Sequence, residues 1–103
     1  MEIPSRIKRL VLLGRVEFTR QAARQILEDN LTEMEVLESI INAQLAWVKR
    51  STSPRRRAPR EKVFIITSFS LSGVLIYTKG VIRKVGDSET SYILISEKRA
   101  VAE

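Results

Sequence analysis

The hydrophobic period of this chain changes near Gln44, and that change limits the folds open to it. Before it, apolar residues recur every three to four positions, which predicts amphipathic helices. After it, short runs rich in Val, Ile, Phe and Tyr are set off by Gly73, Gly80 and Gly86, a pattern typical of β-strands. Consecutive short strands favour antiparallel pairing. We therefore predict one α+β domain over residues 1–103, with N-terminal helices packed on one face of a twisted antiparallel sheet of four to five strands.

The expected helices have recognisable ends. Ser5, Thr19 and Thr32 are placed as N-caps, and Thr32 with Glu35 has the spacing of a capping box. Gly14 is a suitable residue to end the first helix. The second helix is expected to run from Arg20 to about residue 30, and the third to about residue 42. The apolar stripe of the second helix comprises Ala22, Ala23, Ile26 and Leu27.

The strands follow from alternation and composition. Residues 16–18 are a short strand or the entry to the second helix, and residues 44–50 alternate as a strand does. Further strands are predicted at 62–69, 73–80, 80–86 and 91–98. Phe18, Phe64 and Phe69 are expected in the core, and Trp47 in the core or at a sheet edge.

Composition excludes several classes of chemistry. The chain has no cysteine and no histidine, which removes thiolate metal sites, the commonest zinc ligand and every Ser-His or Cys-His catalytic pair. No cofactor and no metal site are predicted. No apolar run approaches the roughly 20 residues of a membrane span, and no signal peptide is recognisable. The expected location is cytoplasmic, with no membrane partner.

The net charge of +6 is unevenly distributed. Residues 1–50 carry eight basic and seven acidic side chains, whereas residues 51–103 carry ten and five. An excess in one half indicates a basic face, which suits nucleic acid or an acidic protein. The densest charge lies in residues 51–61, predicted to be a mobile arginine-rich loop; a solvated loop without a ligand is the alternative. The residues predicted to bind nucleic acid are Arg55, Arg56, Arg57, Arg60, Lys62, Lys84, Tyr92, Lys98 and Arg99.

The stretch "RVEFTRQAARQILEDNLTEMEVLESIINA" resembles the opening of small bacterial proteins akin to the MqsR-like and RelE-like toxins of toxin–antitoxin pairs. "GVLIYTKGVI" and "YILISEKRA" are similar to the later strands of that family. The family pattern is matched at Thr19, Arg20, Ala22, Leu31, Thr32 and Val36. A histidine of the family falls on Gln21 here, which puts catalysis by that residue in doubt.

The resemblance implies a metal-independent endoribonuclease, an mRNA interferase acting on RNA, ribosome-bound mRNA included, and neutralised by an acidic antitoxin. Tyr77, Lys79 and Arg83 are then the candidate catalytic residues, with the cations stabilising charge at the phosphate. Two alternatives stay open. One is a non-catalytic module that binds nucleic acid or an acidic protein through the same side chains. The other is a degenerate family member without activity.

Overall fold

A computed structural model of the protein describes residues 2–54, 61–85 and 89–100. That part of the chain forms three helices and five strands. In chain order they are α1 (Ser5–Leu12), β1 (Val16–Phe18), α2 (Arg20–Glu28), α3 (Glu33–Asn42), β2 (Trp47–Arg50), β3 (Lys62–Phe69), β4 (Leu75–Val85) and β5 (Glu89–Arg99). The predicted α+β class is confirmed. Arg55, Arg56, Arg57 and Arg60, with most of the predicted mobile loop, lie outside the described residues.

The strands form one sheet in the order β1-β5-β4-β3-β2. β2 to β5 are antiparallel neighbours, but β1 runs parallel to β5, so the sheet is mixed and the all-antiparallel expectation is wrong at this edge. Hairpin connections force antiparallel pairing only between strands that follow one another in the chain. β1 is separated from β5 by two helices and three strands, so no hairpin constrains its direction.

Gly80 lies within a strand, where the sequence predicted a break. β4 continues through it, and the register of β4 with β5 shifts between Lys79 and Gly80. A Cβ added at Gly80 would overlap the ring of Tyr92. Glycine is needed here because the Tyr92 ring packs directly over the backbone, and a missing side chain leaves room for it.

The helix ends follow the sequence signals closely. The Thr19 hydroxyl accepts a hydrogen bond from the Ala22 amide at 3.1 Å, and the capping box of Thr32 and Glu35 is complete. Ser5 is an exception. Pro4 occupies the N-cap position of α1 and no side chain caps that helix, since Ser5 is already inside its first turn.

Left-handed residues end the first two helices. Gly14, with φ of 73°, follows α1, and the amide after it bonds back to the Leu10 carbonyl at 2.8 Å. Asn30, with φ of 57°, ends α2 in the same way, its following amide bonding to the Ile26 carbonyl at 3.0 Å. Both are Schellman ends, which reverse the chain within two residues.

All three helices pack on one face of the sheet, and the core lies between them. Ile7, Ile40 and Ile76 are fully buried there. Phe64 is buried as expected, but Phe69 is 49% exposed and Leu27 is 79% exposed, so those two expectations were wrong. Phe69 lies at the end of β3 on the face away from the helices, and Leu27 lies on the outer side of α2.

Strand register divides the sheet into two faces. Side chains alternate along a strand, and paired residues of neighbouring strands share a face. We call the side away from the helices the open face. On β2, β3 and β4 it carries the odd-numbered residues, such as Lys49, Ile65 and Lys79, and on β5 it carries Ser96 and Lys98. Ionisable side chains on the open face lie away from the apolar core between the helices and the sheet.

Candidate functional site

A pocket of about 410 Å³ lies where the open face meets the first turn of α2 and the segment that follows β2. Val63 and Ile95 give it an apolar lining, and three hydroxyl residues, Ser51, Thr52 and Ser53, contribute polar groups. The other lining residues are Thr19, Arg20, Gln21, Lys49, Lys79 and Arg83. We call this the cationic pocket, because four of its lining side chains are basic.

Three different elements bring those cations together. Lys49 lies on edge strand β2, Lys79 and Arg83 lie on β4, and Arg20 opens α2. Lys49 and Lys79 share the open face because Lys49 pairs with Val63, and Ile65, two residues on, pairs with Lys79. No acidic side chain of the described residues lines the pocket. The potential inside it is therefore positive, which suits an anionic group.

The first turn of α2 adds a second positive element. Thr19 donates its hydroxyl to the Ile95 carbonyl at 2.9 Å and accepts from the Ala22 amide, which fixes the start of the helix against β5. The first N–H groups of a helix have no intrahelical acceptor and form its positive end. Gln21 belongs to this turn and lines the pocket.

Arg83 is held by a carboxylate. Its Nε and Nη2 donate to Glu61 at 2.9 and 2.7 Å, with side-chain exposures of 19% for Arg83 and 8% for Glu61. The hydrogen bonds to Glu61 raise the pKa of Arg83. This bidentate geometry fixes the guanidinium plane and offsets part of its charge. Arg83 therefore positions the pocket wall, while Arg20, Lys49 and Lys79 supply the rest of the positive charge of the pocket.

The other predicted binding residues do not gather at this pocket. Tyr77 and Lys98 are paired neighbours farther along the open face. Lys62 and Lys84 line a separate pocket with Arg6, and Arg83 lines both pockets. Arg99 is paired with Ile76 on the helix-covered side, and its amide donates to Asp29 at 2.7 Å. The basic side chains of the described residues thus form separate groups.

Tyr92 lies in the core. It has no exposed surface, and its hydroxyl has no hydrogen-bond partner among the described residues. Burial raises the pKa of this tyrosine. A ring in this position has no free surface on which a base could stack, so Tyr92 does not belong to a nucleic-acid surface and acts instead as the ring that fills the space over Gly80.

The helix-covered face holds a contrasting acidic site. Glu97 is 2% exposed, and neither of its carboxyl oxygens has a hydrogen-bond partner among the described residues. Burial and the neighbouring Asp29 carboxylate raise the pKa of Glu97 to about 8. The Glu97 amide donates to the Gln25 side chain at 2.8 Å, so this carboxyl group lies under α2. The described residues contain no cluster of three acidic side chains that could hold a metal ion.

Sequence reasoning missed Lys49 and Arg20 as site residues. The alternation of Trp47 and Lys49 signals that they share one face of a strand. Nothing in the sequence says that β2 pairs with β3, or that the start of α2 reaches the same side of the sheet, because both depend on the strand order.

None of the helices in the described ranges has the length and the apolar run of a transmembrane segment. No protein-family model, no curated protein and no solved structure matches the chain. The kinship with RelE-like and MqsR-like toxins therefore stays a prediction that rests on the residues quoted for it.

Proposed function

We propose that this protein binds RNA, with a backbone phosphate in the cationic pocket. The observation that carries the proposal is the convergence of Lys49, Lys79 and Arg83 with the first turn of α2 at one pocket. Ammonium and guanidinium groups together with backbone N–H groups are the standard phosphate ligands of proteins. The hydroxyls of Ser51, Thr52 and Ser53 supply further donors for phosphate or ribose oxygens.

A polymer fits the surroundings of the pocket better than a small anion does. The open face continues from Lys79 to the neighbouring pair of Tyr77 and Lys98. In the chain, the pocket residues 51–53 are followed directly by a segment with four arginines. Positive charge thus continues from the pocket along the open face to Lys98, as a chain of phosphates requires.

Cleavage of the bound RNA is a second candidate. Glu61, a carboxylate, is hydrogen-bonded to the pocket residue Arg83, and Tyr77 lies two residues from Lys79 on the same face. In the reaction the ribose 2′-oxygen would attack the adjacent phosphorus, Glu61 would take its proton, and Tyr77 would protonate the leaving 5′-oxygen. Lys79 and Arg83 would stabilise the extra negative charge of the transition state. An acidic antitoxin is the partner expected to cover the same cations.

RNA binding is tested by titrating a fluorescein-labelled 12-nucleotide RNA at several salt concentrations. Lys79→Ala and Lys49→Ala should each weaken binding about tenfold at low salt. Each should also reduce the slope of the logarithm of the binding constant against the logarithm of salt concentration by about the amount that one phosphate contact contributes. Lys8→Ala is the matched control, because Lys8 is a half-buried lysine on α1, which packs on the other face of the sheet. Equal effects of Lys79→Ala and Lys8→Ala would show that binding depends on net charge alone and would refute the pocket.

Cleavage is tested separately with the same RNA in the presence of EDTA. The expected product carries a 2′,3′-cyclic phosphate, and its rate of formation should fall at least 100-fold in Tyr77→Phe while binding is retained. Binding without any cyclic phosphate product would leave the non-catalytic module as the function.

A further inference from the structure

Trp47 is the single tryptophan of the chain, and it is 79% exposed. It opens β2, the edge strand of the sheet, and its side chain is on the open face with that of Lys49. Exposing so large an apolar ring stabilises nothing in the isolated fold, and aromatic rings left in water commonly mark a contact surface. The described residues leave most of the Trp47 ring accessible to a ligand.

The surroundings of Trp47 are basic and aromatic. Side chains two residues apart on a strand are about 7 Å apart, so Trp47 lies next to Lys49 of the cationic pocket. Trp47 pairs with Ile65, which pairs in turn with Lys79. Two further aromatic side chains share the face: Tyr77 is half-buried, and Phe69 is 49% exposed. Aromatic rings interleaved with lysines on a sheet face away from the helices are the arrangement on which single-stranded nucleic acids stack.

We propose that Trp47 is a stacking platform for an unpaired base of single-stranded RNA whose phosphate occupies the cationic pocket. The inference rests on the proposed function and names its substrate class. About 7 Å between Lys49 and Trp47 is similar to the separation of a base from its own phosphate. A base held in a duplex is stacked on its neighbours and cannot present its face to the ring, so binding selects single strands.

A second copy of the chain is the competing occupant of this edge. β2 is only four residues long and carries Lys49 and Arg50 on opposite faces. Self-pairing of this strand would bring the like charges of two copies together, and short charged edge strands are a common device against such pairing. The same charges attract RNA, so charge complementarity favours the nucleic acid.

The experiment uses Trp47 as its own probe. Tryptophan fluorescence is recorded while the full chain is titrated with a single-stranded RNA 12-mer, a duplex of the same sequence, and an abasic 12-mer that keeps the ribose-phosphate backbone. Stacking should quench Trp47 with the single strand alone. The abasic strand should bind about 5- to 150-fold more weakly, which is the loss expected for one stacked base.

Variants of Trp47 test whether its ring contributes to RNA binding. Trp47→Ala should weaken binding of the single strand by the same factor, and Trp47→Phe should restore part of it. Leu27→Ala is the control, since Leu27 is equally exposed at 79% but lies on α2. Binding that depends on Lys79 but is indifferent to Trp47→Ala would overturn this inference and leave the proposed function standing. No binding of any RNA would overturn both, and Trp47 emission that shifts with protein concentration alone would assign the surface to a second copy.

Discussion

The two faces of the sheet carry ionisable groups in opposite settings. On the open face Lys49 is exposed, Lys79 and Arg83 are half-buried, and all three line one pocket. On the helix-covered face Glu97 and Tyr92 are enclosed, and their side-chain oxygens have no hydrogen-bond partners among the described residues. Charge held near water can bind a ligand at little cost, whereas a polar group held in the core lowers stability. The first face is therefore expected to govern binding and the second to govern stability.

The strongest test of this contrast is the pH dependence of stability conferred by Glu97. Its pKa is about 8 in the folded protein and about 4.3 when unfolded, so the folded state binds the extra proton between those values. The stabilising contribution of Glu97 to the unfolding free energy is therefore fully present below about pH 4, and it is lost as the pH rises through about 8. Glu97→Gln should remove this loss. The difference in unfolding free energy between variant and wild type should grow by about 3–5 kcal/mol from pH 4 to pH 9.

Urea unfolding at several pH values measures that difference. Glu17→Gln is the control for the change of charge, because Glu17 is an exposed carboxylate on β1; the loss of stability that Glu97 causes should persist in this variant. A wild-type profile as flat as that of Glu97→Gln would show that Glu97 is ionised at neutral pH in the folded state.

Gly80→Ala should give the next largest effect. The new methyl group would overlap the Tyr92 ring, and overpacking of this kind costs about 2–3 kcal/mol of unfolding free energy. Tyr92→Leu, which shortens the side chain over Gly80, should make the alanine better tolerated, so the two losses should be less than additive. Strictly additive losses would show that Tyr92 is not what requires glycine at this position.

Tyr92→Phe should have a smaller effect of the opposite sign. It removes a buried hydroxyl without a hydrogen-bond partner among the described residues and keeps the ring. The unfolding free energy should stay unchanged or rise by about 1 kcal/mol. A loss above that size in thermal or urea unfolding would reveal a hydrogen bond made by this hydroxyl.

Lys79→Ala should have the smallest effect on stability, although Lys79 adjoins Gly80 in the chain. Its side chain lies on the open face, so the unfolding free energy should change by less than about 0.5 kcal/mol. RNA binding by this variant should fall about tenfold, as proposed above. A loss of stability in Gly80→Ala together with a loss of RNA binding in Lys79→Ala would support the division of roles between the two faces. A large loss of stability in Lys79→Ala would contradict it.

Much of the helical part could be predicted from the sequence, because its signals are local. The capping residues Thr19 and Thr32 and the helix-ending Gly14 act on backbone groups within a few positions of themselves. Local hydrogen bonds of this kind form whatever the rest of the fold does. Hydrophobic alternation placed β2 and a run of β-forming residues placed β3 for the same reason.

The sequence by itself therefore determined the helix ends, the positions of most strands, the α+β class and the excess of positive charge. Only the tertiary structure decided that β1 is parallel to β5, that Gly80 lies inside a strand, and that Glu61 holds Arg83. It also decided that Lys49, Lys79 and the start of α2 line one pocket. Each of these depends on which strands are neighbours, and contacts between residues far apart in the chain leave no periodic trace in the sequence.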